Sequence, residues 1–246
     1  MLVALTLGTI HAQTPAPAGV GSWYTATTYV VKPGMMEEFR ALVIKELNPA
    51  AKKGGLQQSQ VWRFATGNPD RVLRITLHGS LADRDGPTAA EKGMGAEAYR
   101  AYLKKRIALV TATNAYIGRQ RLDMGYTVAG SPAPRLAERY VVQIAQGRNA
   151  EYLKYVQAFL AAAKKTGHQR AAGQIVFGPN AGTFVSNTYY ASWADLEKGR
   201  PPDRSMSASE LAAFTQLNSN GLITVVSRDV MTYDAEMSMA PPAASR

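Results

Sequence analysis

Ser80-Leu81-Ala82-Asp83 and Ser192-Trp193-Ala194-Asp195 are one four-residue phrase written twice, each closing an apolar, strand-like run. Upstream of the first copy stands Ala50-Ala51-Lys52-Lys53-Gly54-Gly55. Upstream of the second stands Ala162-Ala163-Lys164-Lys165-Thr166-Gly167. A repeat of about 110 residues is too long for a solenoid unit and suits a duplicated small domain.

Between these anchors the two halves carry the same order of periodicities. Tyr24 to Val31 is rich in Thr, Tyr and Val and reads as a strand, stopped by Lys32-Pro33-Gly34. Met35 to Lys53 has a helical stripe of Met36, Phe39, Leu42, Val43 and Leu47, with Asn48-Pro49 as a kink or early stop. Gln58–Ala65 and Arg71–His78 are strands joined at Gly67-Asn68-Pro69-Asp70. A long helix is predicted over Ala89–Thr113 and a fourth strand over Ile117–Val128. After a linker at 129–135 the order recurs. Arg139–Ala145 is a strand, Asn149–Lys165 a helix, Gly173–Phe177 and Thr183–Ala191 strands. Ser207 caps a shorter helix to Leu217, with Glu210 placed for a capping box, and Leu222–Tyr233 closes the unit. The fold class is therefore α+β: two tandem ferredoxin-like β-α-β-β-α-β units, at 22–128 and 136–234.

Two fused units of this kind, each with a long fourth strand, resemble the dimeric α/β-barrel (ferredoxin-like) superfamily in tandem form. The flavours most similar are NIPSNAP-like and antibiotic-biosynthesis-monooxygenase-like domains. The resemblance implies two four-stranded sheets facing one another around a central space, with helices outside. It also implies cofactor-independent oxygenation as the catalytic version of the fold. It rests on element order and the internal repeat, so it transfers no catalytic residue.

The chain has 246 residues, no cysteine and a net charge of +10. Without cysteine there are no disulfides, thiolate nucleophiles or thiolate metal sites. Leu2–Ile10 is a short apolar run followed by small residues near Ala12, which suits a signal peptide over 1–12 and a periplasmic or secreted protein. Residues 13–21 read as a flexible lead and 235–246 as a disordered tail. No run after the leader is long enough to span a bilayer. Lys104-Lys105-Arg106 reads as a solvated helix face, because no nucleic-acid motif accompanies it.

Alternation sorts each strand into two faces. On the third strand Leu73, Ile75 and Leu77 are expected to pack under the helices, leaving Val72, Arg74, Thr76 and His78 to look inward. Trp62 on the second strand and Tyr190 on the seventh are expected to line the central space. Either phase of the seventh strand offers a tyrosine. His78 has three readings: a general base, a haem ligand, or a hydrogen-bonded histidine at a strand end. No cofactor is expected, haem at His78 being the one considered. Arg121 and Asp123 share a strand face, as a structural ion pair or as a clamp for a carboxylate ligand. The candidate site is thus His78 as catalytic group with Arg74, Trp62, Arg121 and Tyr190 as ligand contacts. Phosphate loops, GxGxxG, HExxH and GxSxG are absent from the sequence.

The expected function is an exported barrel that binds a small apolar or aromatic molecule between its sheets. The alternative is a non-catalytic interaction module with a packed interior. The sequence leaves open whether the protein is an enzyme, and whether it is a monomeric pseudo-dimer or a homo-oligomer.

Overall fold

A computed structural model describes residues 20–128, 134–218 and 221–239. The expected leader, most of the lead and most of the linker lie outside the described residues. The first half contains β1 Val20–Val31, α1 Met36–Leu42, a π turn Val43–Leu47, α2 Asn48–Lys53, β2 Ser59–Phe64 and β3 Arg71–His78. It continues with a 3-10 turn Leu81–Arg84, α3 Ala89–Met94, α4 Ala96–Leu109 and β4 Val110–Arg121. The second half contains β5 Leu136–Ile144, α5 Asn149–Lys165, β6 Arg170–Phe177 and β7 Phe184–Tyr190. Then come α6 Trp193–Glu197, α7 Pro201–Ser205, α8 Ala208–Leu217 and β8 Ile223–Tyr233. Among the described residues no helix is long and apolar enough to cross a membrane.

The eight strands close into one barrel in the order β1-β3-β2-β8-β5-β7-β6-β4, every neighbour antiparallel. Each half contributes a four-stranded sheet with its first and third strands central. The halves meet at two short seams. At one, Trp62 pairs with Tyr233 and Phe64 with Met231; at the other, Gly118 pairs with Ile175 and Gln120 with Gly173. Closure covers the edges of β4 from Ile117 and of β8 from Met231, while the earlier part of each strand is paired on one side only.

Both faces of both sheets are covered over their central strands, while Thr111–Ala115 of β4 and Thr224–Val226 of β8 are exposed. Tyr24, Ala26, Trp62, Phe64, Leu73, Ala137 and Met231 form the inner core. Outside the first sheet, Tyr29, Val31, Val61 and Val72 pack on Phe39 and Val43 of the helical layer. Outside the second, Val142 and Phe184 pack on Tyr152, Val156 and Leu160 of α5.

The repeated Ser-x-Ala-Asp is a helix-capping device. Asp83 accepts hydrogen bonds from the backbone N–H of Gly79 (2.8 Å) and Ser80 (3.1 Å). Asp195 accepts from Ala191 N–H (3.2 Å), and Ser192 Oγ accepts from Asp195 N–H (3.1 Å). Each phrase turns the chain sharply out of β3 or β7 and satisfies donors that a helix start leaves open.

Four local expectations change. Pro49 neither ends nor sharply breaks its helix, because the π turn widens the backbone just before it and absorbs the missing donor. The long helix expected to Thr113 is divided at Gly95, whose φ of 85° is a left-handed conformation that glycine supplies. That helix also stops at Leu109, and Val110–Thr113 enter β4, paired with β1 from Val31↔Val110 to Tyr29↔Thr113. β-branched residues fit that pleated surface better than a helix end. The tail expected from residue 235 is folded as far as Met239, which bridges to Ser59, and Met237 is fully buried.

That last segment has a counterpart. Met237 follows β8 yet packs beneath the helices of the first half. Met124 follows β4 and packs beneath those of the second. Ser238 Oγ accepts from Val61 N–H (2.8 Å) and Asn48 donates to Met237 O (2.9 Å). On the other side Gln157 donates to Asp123 O (2.8 Å), and Tyr126 and Arg170 exchange backbone bonds of 2.7 Å. The two halves therefore exchange arms.

Candidate functional site in the barrel interior

A cavity of about 290 Å³ lies between the two sheets. Its walls include Tyr24, Tyr116, Gln120, Arg139, Asn187 and Tyr189. Ligand pockets commonly begin near 300 Å³, so this space suits a molecule of one or two rings.

Tyr24 leans from β1 across the β4–β6 seam, over two glycines. A Cβ added to Gly118 would lie 2.3 Å from Tyr24 Cζ, and one added to Gly173 would lie 2.6 Å from its hydroxyl. Only glycine lets the ring lie there. The Tyr24 hydroxyl is buried and has no hydrogen-bond partner among the described residues. Tyr116 meets it edge-on, 6.0 Å between ring centroids, close enough to act through its dipole but not in bonding geometry. Burial pushes the Tyr24 phenol far above its ordinary range, Tyr116 adds to the rise and Arg139 opposes it. Burial also pushes Tyr189 up to about 12, again against Arg139.

Arg139, on the central strand β5, is 4% exposed. Its guanidinium donates to Tyr116 Oη (2.5 Å) and Asn187 Oδ1 (3.3 Å). Its register partner Asp229 is engaged elsewhere, by Arg71 at 2.6 Å. Among the described residues no carboxylate forms an ion pair with Arg139. A buried guanidinium held only by neutral groups is costly, and a ligand anion would repay that cost. Behind the wall residue Tyr189 lies Trp62, stacked on it at 5.7 Å and 11°.

The structure places none of the five expected site residues in the cavity lining; Trp62 comes nearest, in the inner core behind Tyr189. The third strand sits in the opposite phase: Leu73, Ile75 and Leu77 face the barrel interior, and Arg74, Thr76 and His78 face outward. The reason is that both faces are buried, so apolarity cannot say which is which. His78 Nε2 bonds Thr25 Oγ1 (2.8 Å) near Arg84, and burial, reinforced by Arg84, lowers its pKa. Arg74 donates to Asn48 Oδ1 (2.9 Å) under the helices. Tyr190 turns outward to Glu138 (3.3 Å), while Tyr189 faces in. Arg121 holds Asp123 through two bonds of 2.8 and 2.6 Å, on the outer face at the root of the arm.

The cavity lining has no His, Cys or Met, and burial moves Tyr24 and Tyr189 away from ionisation. Of the axial ligands that haem iron takes, the lining offers tyrosine alone, and the expected ligand His78 lies outside it. The other described histidine, His168, has both ring nitrogens engaged, by Thr166 (2.8 Å) and by Asp195 (3.3 Å) and Arg204 (3.2 Å).

Sequence reasoning missed Arg139, Asn187, Tyr24 and Tyr116. One signal was present. Glu138-Arg139 places adjacent charges inside a strand run, and a central strand covered on both faces must bury both (2% and 4% exposed).

No family model and no curated protein matches the sequence. Solved structures do match in fold. One is a protein provisionally assigned as a monooxygenase from Lactobacillus acidophilus NCFM. It has a TM-score of 0.58 and 11% identity, over 89% of this chain and 96% of that one. An anthrone oxidase-like protein gives 0.56 and 11%, over 87% and 91%. A chlorite dismutase variant from Candidatus Nitrospira defluvii gives 0.57 and 11%, over 89% and 93%. At such identities the likeness is one of fold.

Proposed function

On the frame of a dimeric α/β barrel with both halves in one chain, we propose that this protein binds a small aromatic molecule bearing one anionic oxygen group. The ligand lies between the sheets, its ring against Tyr189 and Tyr24 and its anion on Arg139. The observation that carries this reading is the buried Arg139 guanidinium, without a carboxylate partner, in the wall of the 290 Å³ cavity. The cavity also favours this reading over a barrel filled by its own side chains.

The lining supplies donors and a cation but no His, Asp or Glu to act as general base. Oxygenation, suggested by the names of two neighbours, would therefore act on a ligand that enters already ionised. Arg139 and Tyr116 would stabilise its anionic oxygen while the aromatic walls exclude water. Native mass spectrometry of freshly purified protein tests the reading. A retained adduct of a few hundred daltons, lost in Arg139→Gln, supports it. An adduct retained equally by Arg139→Gln contradicts it.

We also propose export, on the strength of the Leu2–Ile10 run. N-terminal sequencing of the mature protein should begin near Gln13. A cell-associated chain beginning at Met1 would contradict export.

A further inference from the structure

A second space lies on the opposite face of the second sheet, beneath α5, α7 and α8. It has a volume of about 110 Å³ and includes Arg170, Ser186, Thr188, Tyr155, Arg200 and Asn218 in its lining. Two arginines near it are matched to acids. Arg200 pairs with Asp203 at 3.1 Å, and Arg228 with Glu138 at 2.6 Å. Arg170 is not. It is 5% exposed, its Nε has no partner, and its guanidinium makes no ion pair or side-chain hydrogen bond among the described residues. Its guanidinium lies over the Phe159 ring, 4.4 Å from Cζ to the centroid. Ser186 and Thr188 are 6% and 3% exposed, and their hydroxyls also make no hydrogen bond among the described residues.

The first half is an internal control. There Ser59 pairs in register with Thr76, as Arg170 pairs with Thr188 in the second. The buried arginine comes instead from β3, as Arg74, where the second half has Ser186. Arg74 is satisfied: it donates to Asn48 and contacts Met239 Sδ at 3.8 Å, and the exchanged arm fills the space around it. In the second half the arginine has moved across to β6 and the space in front of it stays open. A buried cation with idle hydroxyls around it is the arrangement that binds an oxyanion.

We propose that Arg170, Ser186 and Thr188 form an oxyanion site for a phosphate-sized group, separate from the barrel interior. The anion is either free or the terminal group of a larger ligand lying along Tyr152 and Tyr155.

The test is thermal unfolding and calorimetric titration of the full chain with inorganic phosphate, sulfate and phenyl phosphate, using chloride to match ionic strength. Binding to the native state alone raises the melting temperature in a saturable way. Phosphate or sulfate should do this and chloride should not. Arg170→Met should abolish the response, and Thr188→Val should weaken the affinity about tenfold. Arg139→Gln should leave the response unchanged, which separates this site from the interior one. Because the variant removes an uncompensated charge, Arg170→Met should melt no lower than the wild type without added anion. Tighter binding of phenyl phosphate than of phosphate assigns the anion to a larger ligand; weaker or equal binding assigns it to the free ion. No saturable response in the wild type, or an undiminished response in Arg170→Met, would overturn the proposal. Should Arg170→Met not fold, undiminished affinity in Thr188→Val would do so.

Discussion

Met124 and Met237 are exchanged between the halves: each is carried past the last strand of its own unit and buried under the helices of the other, 2% and 0% exposed. Exchange of this kind couples two modest cores into one. Met237→Ala should cost about 2–5 kcal/mol, the range for truncating a buried methionine. Met124→Ala should cost a similar amount, and the two losses should add, since the sites share no partner. Urea denaturation checks this, with a single transition expected in each variant. Separate transitions for the two halves would show that the arms do not couple them.

Tyr24 and the glycine beneath it form a second pair. Gly118→Ala should destabilise the fold by about 1–3 kcal/mol, because its Cβ collides with the Tyr24 ring. Tyr24→Phe should be neutral or slightly stabilising, since the hydroxyl it removes is buried without a partner. Chemical unfolding of both variants decides the matter. A loss above about 1 kcal/mol in Tyr24→Phe would mean that the hydroxyl is bonded.

The Arg121–Asp123 pair braces the arm that carries Met124. Both side chains are partly exposed, so Asp123→Asn should cost only about 1 kcal/mol. Ligand binding in the barrel should not change. Reduced affinity at an unaltered melting temperature would return Arg121 to the list of ligand contacts.

Two histidines set a pH dependence. Burial lowers the pKa of His78 and of His168, with Arg84 and Arg204 adding to the shift, and Asp83 and Asp195 opposing it. A lowered folded-state pKa means that the unfolded chain binds protons first as pH falls. Stability contributed by neutral His78 and His168 is therefore present above about pH 6.5 and lost on acidification below it. Urea midpoints at pH 7.5 and 5.5 should show this loss, and His168→Gln should reduce it. A midpoint that rises on acidification would contradict the assignment.

Element order was legible because it depends on local pattern. The Ser-x-Ala-Asp phrases sit where chemistry requires a cap, and Asn149–Lys165 shows its stripe of Tyr152, Val156, Phe159 and Leu160 openly. Strand facing was not legible. In a closed barrel wrapped by helices, Leu73 and Val72 are both 1% exposed, so hydrophobicity assigns neither to the inside. The same ambiguity placed His78 and Arg74 in the interior and chose Tyr190 over Tyr189. Arm exchange is a long-range outcome, and nothing near Met237 announces that its pocket lies in the first half. Arg139 and Arg170, two buried arginines with no acidic partner among the described residues, belong to the second half, whereas Arg74 of the first is held by Asn48 and Met239.

The central claim is that Arg139 receives a ligand's anion inside the barrel. It is tested most directly by calorimetric titration of wild type and Arg139→Gln with 2-naphthoate and with its neutral counterpart, 2-naphthalenemethanol. The predicted result is that wild type prefers the carboxylate. Arg139→Gln should lose at least about tenfold in affinity for it, about 1.4 kcal/mol, while binding the alcohol unchanged. Equal carboxylate affinity in the two proteins would contradict the claim.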